Sequence, residues 1–178
     1  MLQTELLVTA LCDAEVSFIV IGGMAAVAQG SSYVTADLGI FYQRQPRNYR
    51  KIATALRPLQ ARLRGVDPSL PCALDEVTLR SGMNFTLTTD AGDLDLLGGI
   101  AGFANYDEVK AQSEEIELFR HRISTLTLDG LIYSKRLRGN RRICGCYLNL
   151  RRSKHYEIRN QMMRLRPPGV KKQTWPAK

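Results

Sequence analysis

Residues 18–42 read Phe-Ile-Val-Ile-Gly-Gly-Met-Ala-Ala-Val-Ala-Gln-Gly-Ser-Ser-Tyr-Val-Thr-Ala-Asp-Leu-Gly-Ile-Phe-Tyr. Ser17 to Ile21 predicts a short, buried, β-branched strand. The Gly22-Gly23 pair ends it, where backbone can turn sharply or come close to another group. Gly22 to Gln29 predicts a small-residue helix packed close behind the strand. Asp37 to Tyr42 predicts a second strand that carries one acid among apolar neighbours. Side chains two apart on a strand share a face, so Asp37 and position 39 point the same way. Position 39 is glycine.

Outward from this core, residues 2–15 predict an amphipathic helix with Leu6, Leu7, Ala10 and Leu11 at helical spacing. Arg47 to Arg64 predicts a helix with Ile52, Leu56, Leu59 and Leu63 inward and basic residues outward. Gly65 to Pro71 is expected to be a loop. Asn84 to Thr89 and Gly92 to Leu97 predict a hairpin closed at Asp90-Ala91-Gly92. A short helix over Tyr106 to Ser113 and strands over Ile116 to Phe119 and Ile123 to Leu126 are expected next. A last helix, 127–138, has Thr127 as its cap and Asp129 in its first turn. The fold class expected is α/β: a mixed sheet of about four or five strands with helices packed on one face.

The second hairpin strand repeats the theme of acid between apolar residues. Asp95 stands between Leu94 and Leu96, and Asp93 lies two residues earlier on the same face. Three aspartates, Asp37, Asp93 and Asp95, can therefore converge if the two strands are neighbours. Carboxylates aimed from adjacent strands suit Mg²⁺, a hard cation that prefers oxygen. Taken singly, each residue also has a plain structural role. The glycine pair can mark only a tight turn, Asp37 can cap its strand, Asp93 can hold the hairpin, and Lys135 can be a solvated helix residue.

Taken together, the spacing resembles the nucleotidyltransferase superfamily, in the small bacterial and archaeal branch that includes the AbiEii-type toxins. Ile21-Gly22-Gly23, Asp37-Leu38 and Leu94-Asp95-Leu96 match that superfamily's pattern, and Gly30-Ser31 with Thr35 match the branch's segment, except that Tyr33 stands where it has arginine. Leu128 to Lys135 resembles a later segment that supplies a lysine. The resemblance covers roughly residues 15–142. It implies Asp37 and Asp95 as catalytic carboxylates, Asp95 as the base for the incoming hydroxyl, and Lys135 as the group that neutralises triphosphate charge. It implies Gly22, Gly23, Ser31 and Thr35 at the nucleotide, and Asp37, Asp93 and Asp95 around a two-metal Mg²⁺ site. The superfamily has a second motif carboxylate where this chain has Gly39, so transfer from an NTP to an RNA or protein acceptor is expected to be impaired. A non-catalytic nucleotide- or RNA-binding protein on the same fold, or a degenerate gene product, is the alternative. An antitoxin-like partner is implied by the branch.

At 178 residues with 44% hydrophobic content the chain suits one well-packed domain. No stretch approaches the ~20 apolar residues that span a bilayer, and no signal peptide is readable. Cys12, Cys72, Cys144 and Cys146 form no disulfide framework or zinc spacing, so a reduced, cytoplasmic protein is expected, without membrane association. The net charge of +8 hides an abrupt division. Residues 1–134 hold 11 Lys and Arg against 16 Asp and Glu, and residues 135–178 hold 14 against one, Glu157.

The expected organisation is a nucleotidyltransferase-like domain over 1–142 and a basic, atypical tail over 143–178. Arg136, Arg138, Arg141, Arg142, Arg151, Arg152 and Lys154 could grip RNA phosphates, with Tyr147 and Tyr156 stacking on bases. Permitted codons for Arg142 to Glu157, shifted to begin at the last base of the Arg142 codon, also spell Asp-Leu-Arg-Leu-Leu-Pro-Glu-Leu-Glu-Ala-Leu-Gln-Ala-Leu-Arg. That is the acidic, leucine-rich helix the resemblance implies, which suggests a tail out of its native frame. The coding DNA decides: codons that cannot give this peptide in the shifted frame refute it.

Overall fold

The computed structural model describes residues 3–31, 35, 37–67, 74–139 and 150–152. Along the chain these form α1 (Gln3–Asp13), β1 (Phe18–Ile21), α2 (Gly22–Ala28), β2 (Asp37–Tyr42), α3 (Pro46–Leu56), β3 (Arg62–Leu63), α4 (Glu76–Ser81), β4 (Asn84–Thr89), β5 (Gly92–Leu97), α5 (Tyr106–Ala111), β6 (Ser113–Leu118), β7 (His121–Leu126) and α6 (Leu128–Leu137). The predicted strands 37–42, 84–89 and 92–97 carry those same bounds. One mixed sheet of seven strands runs in the order β3-β4-β5-β2-β1-β7-β6, so the count exceeds the four or five expected.

The one strand that no run in the sequence predicted comes from the region read as one long helix over 47–64. α3 stops at Leu56, and a 3-10 turn over Arg57–Leu59 follows. Pro58 lacks the amide and crowds the preceding turn, so the α-helix cannot continue through it. Gln60 then adopts a left-handed φ of 51°, which reverses the chain. The result is β3, two residues paired antiparallel to β4 through Arg62 with Thr88 and Leu63 with Leu87. α4 was not expected from the sequence; Asp75 caps it by accepting from the Thr78 amide at 2.8 Å.

β1 lies inside the sheet, next to the central β2, with all four residues buried, which explains its unbroken β-branched and aromatic run. It pairs antiparallel with β2 and parallel with β7, and β2 pairs parallel with β5. Leu38 and Ile40 of β2, with Leu94 and Leu96 of β5, are fully buried on one face with Leu7, Leu11 and Ile52 in the core cluster. α3 covers this face, where Tyr49 meets Tyr42 edge-on at 6.3 Å. The helices do not all share it. Tyr106 of α5 stacks on Phe41 at 5.9 Å, and Phe41 alternates with Tyr42 onto the opposite face.

A buried asparagine ties the layers together. Asn48 of α3 accepts from the Ser17 amide at 2.8 Å and donates to Ser17 O at 3.0 Å and Gln43 O at 2.8 Å. One side chain thus fixes α3 against the start of β1 and the end of β2. Of the basic tail, the described part is 150–152, which is helical, and Arg151 Nε reaches Asp129 Oδ1 at 3.0 Å. The rest of the expected tail, 143–149 and 153–178, lies outside the described residues.

Candidate active site

The parallel pairing of β2 with β5 sets Asp37 beside Asp93 and Gly39 beside Asp95. Partners in register on neighbouring strands point to the same face, so the three aspartates predicted to converge do share one. Asp37 opens β2, Asp93 stands near the start of β5 and Asp95 in its middle, each partly buried. Burial pushes the Asp95 carboxyl above its ordinary range; Arg64 opposes this, and Asp37 and Asp93 add to it.

Asp37 is held from its own chain. Thr35 Oγ1 donates to Asp37 Oδ1 at 2.7 Å. Thr35 in turn presses on the glycine turn: a Cβ at Gly23 would stand 2.6 Å from Thr35 Oγ1, so that position excludes a side chain. Gly22, at the start of α2, has a φ of +71°, the left-handed region that favours glycine. The two glycines are therefore required for different reasons, one by its dihedral and one by its neighbour. The Ser31 amide donates to Ala26 O at 2.9 Å and closes α2.

Lys135 approaches from α6, which Thr127 caps by accepting from the Gly130 amide. Burial pushes the Lys135 ammonium below its ordinary range, Arg138 adds to this, and Asp37 opposes it. Asp37 is thus close enough to act on both Lys135 and Asp95. Thr35, Asp37, Asp93, Asp95, Gly23 and Lys135 form one neighbourhood around the start of β2.

Two residues of this neighbourhood escape the sequence reading. Arg64 Nη2 lies 3.4 Å from Asp93 Oδ2 and 3.4 Å from Asp95 Oδ1, and donates to Leu87 O at 3.0 Å. Thr88 Oγ1 donates to Asp93 Oδ1 at 3.2 Å. The available signal for Arg64 is Pro58, which ends the helix and lets residues 62–64 return as an edge strand beside β4.

Three carboxylates on one face supply the hard oxygen donors that Mg²⁺ takes, so the residues fit that cation in kind and in facing. They are not gathered into a ready cage: among the described residues no group of three or more His, Cys, Asp and Glu is arranged to hold a metal ion. Gly39 supplies no donor, and a Cβ there would meet Ile21 O at 3.3 Å, so the position is also tight. A cleft of about 370 Å³ lies at the other end of β2, lined by Phe41, Arg44, Met83, Asn105 and Tyr106 among others, and contains none of the predicted site residues.

No family model matches the chain, and no curated protein matches its sequence. Two solved structures are similar in the course of their backbone. One is the "putative nucleotidyltransferase" of Thermotoga maritima, 15% identical, covering 89% of this chain and 91% of its own, with a TM-score of 0.46. The other is the antibiotic-resistance factor ANT(2'')-Ia, 14% identical, covering 92% of this chain and 100% of its own, with a TM-score of 0.47. Among the described residues no helix is long and apolar enough to cross a membrane.

Proposed function

We propose that this protein is of nucleotidyltransferase type, with an NTP as substrate and Mg²⁺ as its cation, and that transfer is weakened by Gly39. The observation that carries the reading is the register of β2 and β5, which sets Asp37, Asp93 and Asp95 on one face, with Asp37 also within electrostatic reach of Lys135. Bound Mg²⁺ would draw charge off a triphosphate and acidify an attacking hydroxyl. The chain's own residues do the remaining work. Gly22 and Gly23 let backbone approach the phosphates, and Lys135 offsets their charge. Thr35 keeps Asp37 oriented through its hydroxyl. Asp95, its affinity for a proton raised by burial, is the acceptor for the proton of the incoming hydroxyl. RNA and a protein hydroxyl are both open as acceptor.

The test is transfer of labelled NTP into total tRNA and protein with Mg²⁺. Label incorporated by the wild-type chain and abolished by Asp37→Ala supports the proposal. Incorporation that survives Asp37→Ala, or none with any NTP from either the wild type or Gly39→Asp, refutes it. The second reading, a nucleotide-binding protein without transfer, is favoured by Arg64, whose guanidinium already balances two of the three carboxylates. It predicts NTP binding with no incorporation in either chain.

A further inference from the structure

We infer that Arg64 is a built-in counter-ion for the Asp93 and Asp95 pair, so that a divalent cation enters this face by displacing its guanidinium. The inference rests on the proposed function only in taking a divalent cation as the visitor. The geometry begins at the backbone. The Arg64 amide donates to Thr86 O at 2.8 Å, which fixes residue 64 at the outer side of β4. Thr86 pairs with Asp95 and Thr88 with Asp93 in the β4–β5 register, so the Arg64 side chain crosses β4 along the face that carries both acids. There one nitrogen, Nη2, sits 3.4 Å from an oxygen of each carboxylate and is braced on Leu87 O.

Two carboxylates at i and i+2 of a strand repel one another, and the guanidinium relieves that repulsion. An arginine stays charged across the accessible pH range, so the pair is not released by deprotonation of the guanidinium. Above the range where the carboxylates themselves take up protons another cation must take its place, and the contacts at 3.4 Å are longer than those of a well-made charge-assisted pair. Both acids and the arginine are partly exposed, so the exchange needs no unfolding. The cation content of this face is therefore set by competition with a residue of the chain, which adds to the loss of a donor at Gly39.

The test is Mn²⁺ binding by the full chain, read from the signal of free Mn²⁺ in electron paramagnetic resonance, without nucleotide. Arg64→Met should bind Mn²⁺ about tenfold or more tightly than wild type, the equivalent of ~1.4 kcal/mol of relieved competition. Arg64→Lys should stay near wild type, and Asp95→Asn added to Arg64→Met should remove the gain. Equal affinity in wild type and Arg64→Met overturns the inference, as does a gain that survives Asp95→Asn. Should Arg64→Met not fold, the wild type answers through its arginine Nε–Hε resonances, of which Mg²⁺ should shift that of Arg64. An Arg64 resonance unmoved by excess Mg²⁺ overturns the inference. Neither readout involves transfer, so loss of the proposed activity and failure of the competition are separate results.

Discussion

Gly39→Asp restores the carboxylate that the strand pattern lacks, and its cost can be worked from the site. The new side chain points to the face of Asp37, Asp93 and Asp95. Its Cβ meets Ile21 O at 3.3 Å, so the β1 carbonyl must give by a few tenths of an ångström. Asp95 lies directly across in register, ~4.8 Å away along the hydrogen-bonding direction, and Asp37 lies ~7 Å away on the same strand. At these separations, in a half-exposed setting, each neighbouring carboxylate costs about 1 kcal/mol. Replacing glycine returns roughly 0.5 kcal/mol by restricting the unfolded chain. The cation-free variant should thus lose about 1–2 kcal/mol, or roughly 3–6 °C in Tm for a domain of this size. Divalent cations reverse the repulsion, because binding to the folded state alone adds stability as the site saturates. Thermal melts of both chains with EDTA and with saturating MgCl₂ measure this. The variant should melt below wild type in EDTA and gain more from Mg²⁺ than wild type does. Equal melting in EDTA, or equal gains from Mg²⁺, would refute the reasoning that the fourth carboxylate joins the other three.

Further outcomes can be checked independently. Asn48→Ala removes three hydrogen bonds to backbone from a buried position and should cost about 2–3 kcal/mol by urea denaturation. Asn48→Leu should do no better, since the Ser17 and Gln43 groups stay unpaired. Gly23→Ala pushes a methyl against Thr35, whose own Cβ would stand 2.7 Å away, and should destabilise the chain by roughly 1–2 kcal/mol; Thr35→Gly should recover much of that loss and Thr35→Ala, which keeps the Cβ, little of it, which double-mutant cycles measure. Burial pushes the Tyr106 hydroxyl up to about 12 from an ordinary value of 10.0, so the folded chain keeps a proton that the unfolded chain loses. That stability is whole below about pH 10 and declines as pH rises toward 12, and melts across this range should show a shallower decline for Tyr106→Phe.

The legible parts of this fold are those where apolar pattern and punctuation agree. β1, β2 and the β4–β5 hairpin combine strand-forming residues with glycine turns, and the structure gives the latter three their predicted bounds. The neighbourhood of Asp37, Asp93 and Asp95 was legible because period two fixes which acids share a face, and parallel pairing then joins the strands. What stayed hidden is non-local. Helical spacing of Leu56, Leu59 and Leu63 masks the break at Pro58, so β3 reads as the end of a helix. Arg64 accordingly reads as a solvated helix residue, although its partners are about thirty positions away. α4 is too short for its periodicity to show, and its signal is the Asp75 cap alone.

The strand that leads into Arg64 is the shortest in the sheet and, among the described residues, has a neighbour on one side only. Two ladder pairs and the hydrogen bond from the Arg64 amide to Thr86 O anchor it. Local opening at a sheet edge costs far less than global unfolding. The charge of the acidic face is therefore tied to the fraying of a margin: each time β3 peels away, Asp93 and Asp95 lose their counter-ion together. Protection of the Arg64 amide from deuterium exchange becomes a measure of how often the face stands bare, and under the proposed competition edge breathing would open a second route for a cation beside direct exchange in the folded state.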